Sequence, residues 1–179
     1  MIHILNFPEL RQVFNYDCGA CATQGILGYF GYDVREDNIM KHLKTDPEEG
    51  SGWKKIINLL HSYGLRTEHG KIDIAYLIES INNLQPVLIV LQAYPDDIGK
   101  VDWAKDYNDG HYVTAIGYTK KTIIFEDPSS INRTYLTYDE LDKRWHDIDP
   151  QTNTKIEHFG IRVFGKEPVY HNNFLEKLK

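Results

Sequence analysis

Residues 15–21, from Asn15 to Cys21, read NYDCGAC and hold both cysteines of the 179-residue chain. Asp17 is a residue type favoured at helix N-caps. The run after it, CGACATQGILGYFG, places Cys21, Ile26, Leu27 and Phe30 near helical spacing before Gly31, which suits a helix stop. Cys18 therefore falls in the first helical turn. There the helix dipole and unpaired N–H groups favour a thiolate, which can lower a thiol pKa from about 8.5 into the physiological range or below. A redox Cys-x-x-Cys pair and a cysteine hydrolase both use this position, so location alone leaves both chemistries open.

Context weighs against the redox pair. A thioredoxin-like domain needs a strand leading into its Cys-x-x-Cys helix and a parallel sheet around it, but only 17 residues precede Cys18, and they include Pro8 and no strand pattern. Further helices are predicted over about Arg35 to Leu43, over WKKIINLLHSYG after Ser51-Gly52, and over Ile72 to Asn83. After Pro86 the pattern changes to VLIVLQAY, HYVTAIGY, TIIFED and FGIRVFG, apolar and rich in β-branched residues. Connections as short as Thr119 to Lys121 imply antiparallel hairpins. The expected fold class is α+β, with N-terminal helices packed on an antiparallel sheet in a single domain spanning 1–179 and a motif-bearing core of about 8–165.

Composition excludes other classes. A formal charge of -6 with scattered Lys and Arg offers no basic stripe for nucleic acid. The longest apolar run, Val87 to Leu91, falls far short of the roughly 20 residues that span a bilayer, and the N-terminus has no signal-peptide pattern, so the chain reads as soluble and cytoplasmic. Two cysteines make no disulfide framework. No metal or other cofactor is called for: the DYNDG run before His111 lacks the spacing and distal Glu of a calcium loop.

A nucleophile needs a base, and the base an orienting acceptor. Of the eight histidines, His111 stands out, because DGHYVTAIGY puts it at the start of a strand just after a glycine that allows close backbone approach. Asp127 ends the next strand. If the turn between them holds an odd number of residues, such as Thr119 to Lys121, Asp127 falls opposite Val113 and diagonal to His111, about 7 to 8 Å away on one face. A two-residue turn would put Asp127 on the other face. Gln12, six residues before Cys18, is a candidate donor to the oxyanion, together with the Cys18 backbone N–H.

Gln12, Asp17-Cys18-Gly19-Ala20, His111-Tyr112-Val113 and Asp127-Pro128, in this order and spacing, resemble the bacteriocin-leader peptidases: papain-like cysteine proteases that cut after a double-glycine motif, and their stand-alone relatives. The resemblance runs from about Gln12 to Asp127. It implies a papain-like fold, Cys18 as nucleophile, His111 as general base and acid, Asp127 as its orienting partner, Gln12 as oxyanion donor, and a peptide or protein substrate cut after small residues such as Gly. Cys21 would then be an inert core thiol. Bacteriocin-processing members are usually domains of membrane transporters; the 179 residues supply no transporter, which puts a double-glycine substrate and any transporter or secretion partner in doubt. Two alternatives remain from other classes: a thiol-disulfide oxidoreductase through Cys18 and Cys21, and a non-catalytic peptide-binding module. The acidic segment AYPDDIGKVDWAKDYNDG before His111 is read as a rim or lid of the cleft or as a solvated loop. TDPEEGSG at 45–52 is read as an acidic surface loop first and a substrate-contact loop second.

Overall fold

The computed structural model describes residues 2–95, 97, 99, 101–173, 175, 177 and 178. The elements run in the order β1 (His3–Ile4), α1 (Cys18–Tyr29), α2 (Glu36–Leu43), α3 (Trp53–Ser62), β2 (Arg66–Lys71), α4 (Ile74–Asn82), β3 (Val87–Gln92), β4 (Gly110–Tyr118), β5 (Thr122–Glu126), β6 (Thr134–Thr137), α5 (Tyr138–Arg144), β7 (His146–Asp149), β8 (Thr154–Glu157) and β9 (Phe159–Phe164). The main sheet has the order β2-β9-β3-β4-β5-β6, with β1 joining the free end of β4, and every pairing is antiparallel. No helix among the described residues is long and apolar enough to cross a membrane.

Helix α1 begins at Asp17 as expected, but the cap is made by backbone alone. The Asp17 carbonyl accepts from the amides of Ala20 and Cys21, both at 2.9 Å, while the buried carboxylate turns back to accept from the Phe14 amide at 3.1 to 3.2 Å. That bond fixes the turn that delivers the chain into α1. At the other end Gly31 adopts φ +86°, and the amides of Gly31 and Tyr32 donate to the carbonyls of Gly28 and Leu27, a left-handed closure that glycine makes without strain.

The sheet is covered on both faces. Ile26 and Leu27 of α1, Ile39 of α2 and Ile56 and Leu60 of α3 pack with Leu88, Ile116 and Ile161. On the opposite face Leu77 of α4, Leu141 of α5 and Trp145 pack with Ile89, Val113 and Phe125. β3 reads as a continuous apolar run because it is buried on both sides, along all of Val87–Gln92. Each such Leu, Ile, Val or Phe contributes roughly 1.5–3 kcal/mol by leaving water.

The β4–β5 hairpin reaches the expected register by a different route. Tyr118 pairs with Ile123, and the Thr119 amide donates to the Thr122 carbonyl at 2.9 Å, leaving Lys120 and Lys121 as a two-residue turn. That turn alone would send Asp127 to the wrong face. A β-bulge between Ala115 and Gly117 adds one residue to β4 and restores the parity, so that Ala115 pairs with Phe125 and Thr114 with Glu126, and Asp127 continues on the face of Val113 and His111.

Candidate active site

Cys18 comes from the tip of α1, on one side of the sheet, and is partly exposed. His111 points with Val113 and Ala115 to the other face, and the two side chains meet around the end of β4, where the strand begins at Gly110. Glycine before His111 leaves room for Asp147: a Cβ on Gly110 would lie 2.5 Å from Oδ2 of its carboxylate, which would have to shift.

His111 and Asp127 form a buried pair. Nε2 of His111 lies 2.8 Å from Oδ1 of Asp127, with side chains only 7% and 5% exposed. Cys18 lies near enough to the same imidazole for its polar and charge interactions to raise the His111 pKa; with Nε2 committed to Asp127, Nδ1 is the nitrogen left for sulfur. Burial by itself pushes the His111 pKa down, but hydrogen bonds to Asp127 and Cys18 and the charges of both raise it to about 9. Burial likewise pushes the Asp127 carboxyl up, and it is outweighed by the bond and charge of His111 and by bonds from Tyr94 and the Ser129 amide, which hold it below its ordinary value.

Asp127 is fixed on both oxygens. Oδ1 accepts from the Ser129 amide at 2.9 Å as well as from His111. Oδ2 accepts from the hydroxyls of Tyr94 at 2.6 Å and Thr134 at 3.1 Å. These donors were missed from sequence, since they lie in a loop after β3, a turn after β5 and the start of β6 and meet only in space. The Asp-Pro-Ser context of Ser129 is the one available signal, because an Asp often accepts from the amide two residues on.

Gln12 is attached to the same cluster. Its Oε1 accepts from the Ser129 hydroxyl at 3.0 Å, its backbone amide donates to the Pro128 carbonyl at 3.0 Å, and its side-chain nitrogen donates to the Phe14 carbonyl at 2.6 Å. A carboxamide has two N–H groups, so one remains. The amides of Cys18 and Gly19 are first-turn donors that a helix leaves without intrahelical partners.

A cleft of about 200 Å³ opens beside Cys18, between the Glu48–Ser51 stretch and a wall made by Gly110, Tyr112 and Asp147. The 45–52 segment is therefore a cleft-lining loop, closed by paired backbone bonds between Asp46 and Gly50 at 2.8 Å. Burial pushes the Asp147 carboxyl up to about 6, against hydrogen bonds from the Ile148 amide and Gln92. None of the described residues between 93 and 109 lines this cleft, and Tyr94 of the same segment packs on His111. Val101, Asp102, Lys105 and Asp106 line a separate surface groove, and Trp103 is held under the Arg144 guanidinium at 3.8 Å.

Cys21 is buried and free, and burial first, then the nearby carboxylates of Glu36 and Asp17, push its thiol far above the ordinary range. Among the described residues no group of three or more His, Cys, Asp or Glu side chains could hold a metal ion.

The model of the peptidase C39 family matches residues 6–149. The chain belongs to the peptidase C39 family. Solved C39 domains share its fold. A C39-like peptidase from Bacillus anthracis superposes with TM-score 0.68 at 18% identity, covering 93% of this chain and 99% of that one. The peptidase domain of Streptococcus ComA, a bi-functional ABC transporter involved in a quorum-sensing pathway, gives 0.62 at 15%, with 88% and 97% covered. A double-glycine-motif protease from an AMS/PCAT transporter, solved with its leader peptide, gives 0.61 at 15%, with 91% and 92% covered. A search of the curated proteins found no match. The papain-like α+β expectation and the cysteine peptidase assignment both hold.

Proposed function

We propose that this C39 peptidase hydrolyses a peptide bond through Cys18, His111 and Asp127, with Gln12 and the Cys18 amide as oxyanion donors. The observation that supports this reading is the buried His111–Asp127 hydrogen bond with Cys18 next to the imidazole, beside a cleft of about 200 Å³. The attacking form is the Cys18 thiolate, formed as the thiol proton passes to His111. Sulfur attacks the scissile carbonyl carbon, and the carbonyl π electrons move onto oxygen, where the amide of Cys18 and the remaining N–H of Gln12 stabilise the charge. As the C–N bond breaks, His111 gives its Nδ1 proton to the departing amine and leaves a thioester on Cys18. Neutral His111 then takes a proton from water, whose oxygen attacks the thioester; the acid departs, and thiolate and imidazolium are restored. Asp127 stays ionised throughout and holds the ring by Nε2. Losing one oxyanion donor costs about 10²–10³ in rate.

The cleft beside Cys18 is small, about 200 Å³, which suits small residues such as Gly before the cut; a leader-type peptide, as bound by the AMS/PCAT protease of the same fold, is the substrate class we propose. One peptidase domain centred on about 8–165 carries the whole site, and two free thiols fit a reducing cytoplasm. The test is cleavage of a peptide mixture that includes Gly-Gly and Gly-Ala sequences. Cys18→Ala is expected to abolish turnover and Cys21→Ala to retain it. Equal loss in both variants would favour disulfide chemistry instead.

A further inference from the structure

Tyr94 lies two residues beyond β3 with φ +60°, a left-handed backbone conformation that non-glycine side chains rarely adopt. Ala93 still pairs with the facing strand, its amide donating to the Asp109 carbonyl at 2.9 Å. The left-handed turn at the next residue takes the Tyr94 side chain out of the strand alternation and across His111. There the two rings meet edge to face, 5.2 Å between centroids and 88° apart, while the hydroxyl reaches past the imidazole to Oδ2 of Asp127 at 2.6 Å. Strained backbone that serves one hydrogen bond and one ring contact at a reactive pair points to a role there.

We propose that Tyr94 is a positioning residue for the His111–Asp127 pair, its hydroxyl holding the Asp127 carboxylate in the plane that directs Oδ1 at Nε2 and its ring fixing the tilt of the imidazole. This rests on the roles proposed above for Cys18, His111 and Asp127. The titratable groups around the carboxylate are His111 on β4, Cys18 beyond the ring, and Tyr94 itself, on which the Arg11 charge acts. Glu126, the preceding residue of β5, points to the opposite face and meets Arg133 at 3.4 Å. Tyr94 therefore supplies one of two hydroxyl donors to Oδ2 of a buried anion, and removing it makes that anion easier to protonate. Since the thiolate–imidazolium pair needs an ionised Asp127, the pair then collapses at a higher pH.

The experiment is the pH dependence of Cys18 alkylation by iodoacetamide in the full chain, with the adduct located by mass spectrometry. Tyr94 is 53% exposed, so Tyr94→Phe and Tyr94→Leu are both compatible with the packed core. Tyr94→Phe is expected to move the acid limb of the profile up by about one pH unit, a tenfold gain in proton affinity, with the melting temperature near neutral pH lowered by no more than about 5 °C. Tyr94→Leu is expected to move the limb as far and to lower the plateau as well, because the ring is lost too. A Tyr94→Phe profile that superposes on the parent, or a uniform fall with the limb unmoved, overturns the proposal while leaving the triad intact. A parent Cys18 that alkylates at pH 6 no faster than free cysteine overturns the triad itself.

Discussion

Replacing Asp127 by Asn removes one charge and almost no geometry, which makes it an informative perturbation of the site. Oδ1 must remain oxygen, because it accepts from both His111 Nε2 and the Ser129 amide. The new NH₂ then takes the place of Oδ2, facing the hydroxyls of Tyr94 and Thr134. Each hydroxyl can rotate to accept instead of donating, so every polar group keeps a partner. What is lost is a buried negative charge 2.8 Å from the imidazole. An opposite charge this close raises a histidine by about 1–3 pKa units, roughly 1.4–4 kcal/mol. His111, held at about 9 in the parent, is therefore expected to titrate at roughly 6–8 in Asp127→Asn. The assay is an NMR titration of the histidine ring protons, with His111 assigned from the signal missing in His111→Gln. The sign follows from the raised pKa: the imidazolium of the parent contributes stability that is complete below about 6.5 and is lost as pH rises through about 9. In Asp127→Asn that loss moves to lower pH. A His111 midpoint within a few tenths of a unit of the parent would refute the claim that Asp127 acts through its charge.

Gly110→Ala is expected to push the Asp147 carboxylate off its present position, since the new Cβ would lie 2.5 Å from Oδ2; a displacement of about 1 Å beside the cleft should lower kcat/KM by tenfold to a hundredfold with little change in melting temperature. Glu36 titrates at about 7, pushed up first by burial and then by Asp17, so its neutral form stabilises the fold at low pH and that contribution is lost between about 4.5 and 7; the melting temperature of Glu36→Gln, followed from pH 5 to 8 by calorimetry, should decline less than the parent's, and parallel curves would count against a buried carboxyl there. Glu48, Glu49 and Asp147 line the cleft with no Lys or Arg among its lining residues; matched peptides carrying Lys beside the cut should be cleaved several-fold faster than those carrying Glu, with the gap shrinking in high salt, and equal rates would show that these carboxylates do not face the substrate.

The parts of the fold legible in sequence were those with a strong apolar period or a capping residue. α1 lay between Asp17 and Gly31, α3 and α4 followed the apolar spacing, and β3, β4, β5 and β9 were apolar runs. β2 was not legible: RTEHGK is an edge strand with no aliphatic residue, so nothing in it alternates apolar with polar. β7 and β8 are four-residue polar strands, and α5 announces itself only through the Thr137–Glu140 capping box. The bulge that sets the face of Asp127 sits in Ala115-Ile116-Gly117, all buried, where no residue type marks an extra position. The contact of His111 with Asp127 was legible because chemistry restricts which residue types can orient an imidazole. Tyr94 and Thr134 were not, since a hydroxyl donor can come from any nearby loop, and a left-handed tyrosine before Pro95 carries no sequence signature.

The central claim is that Cys18, alone of the two thiols, is held as a thiolate by His111. Brief treatment of the intact protein with iodoacetamide at pH 6, followed by peptide mapping, tests it most directly. A single adduct on Cys18, formed far faster than on free cysteine and slowed at least about tenfold in His111→Ala, is the result expected. Labelling of Cys21, or labelling of Cys18 at the free-cysteine rate whether or not His111 is present, would contradict it.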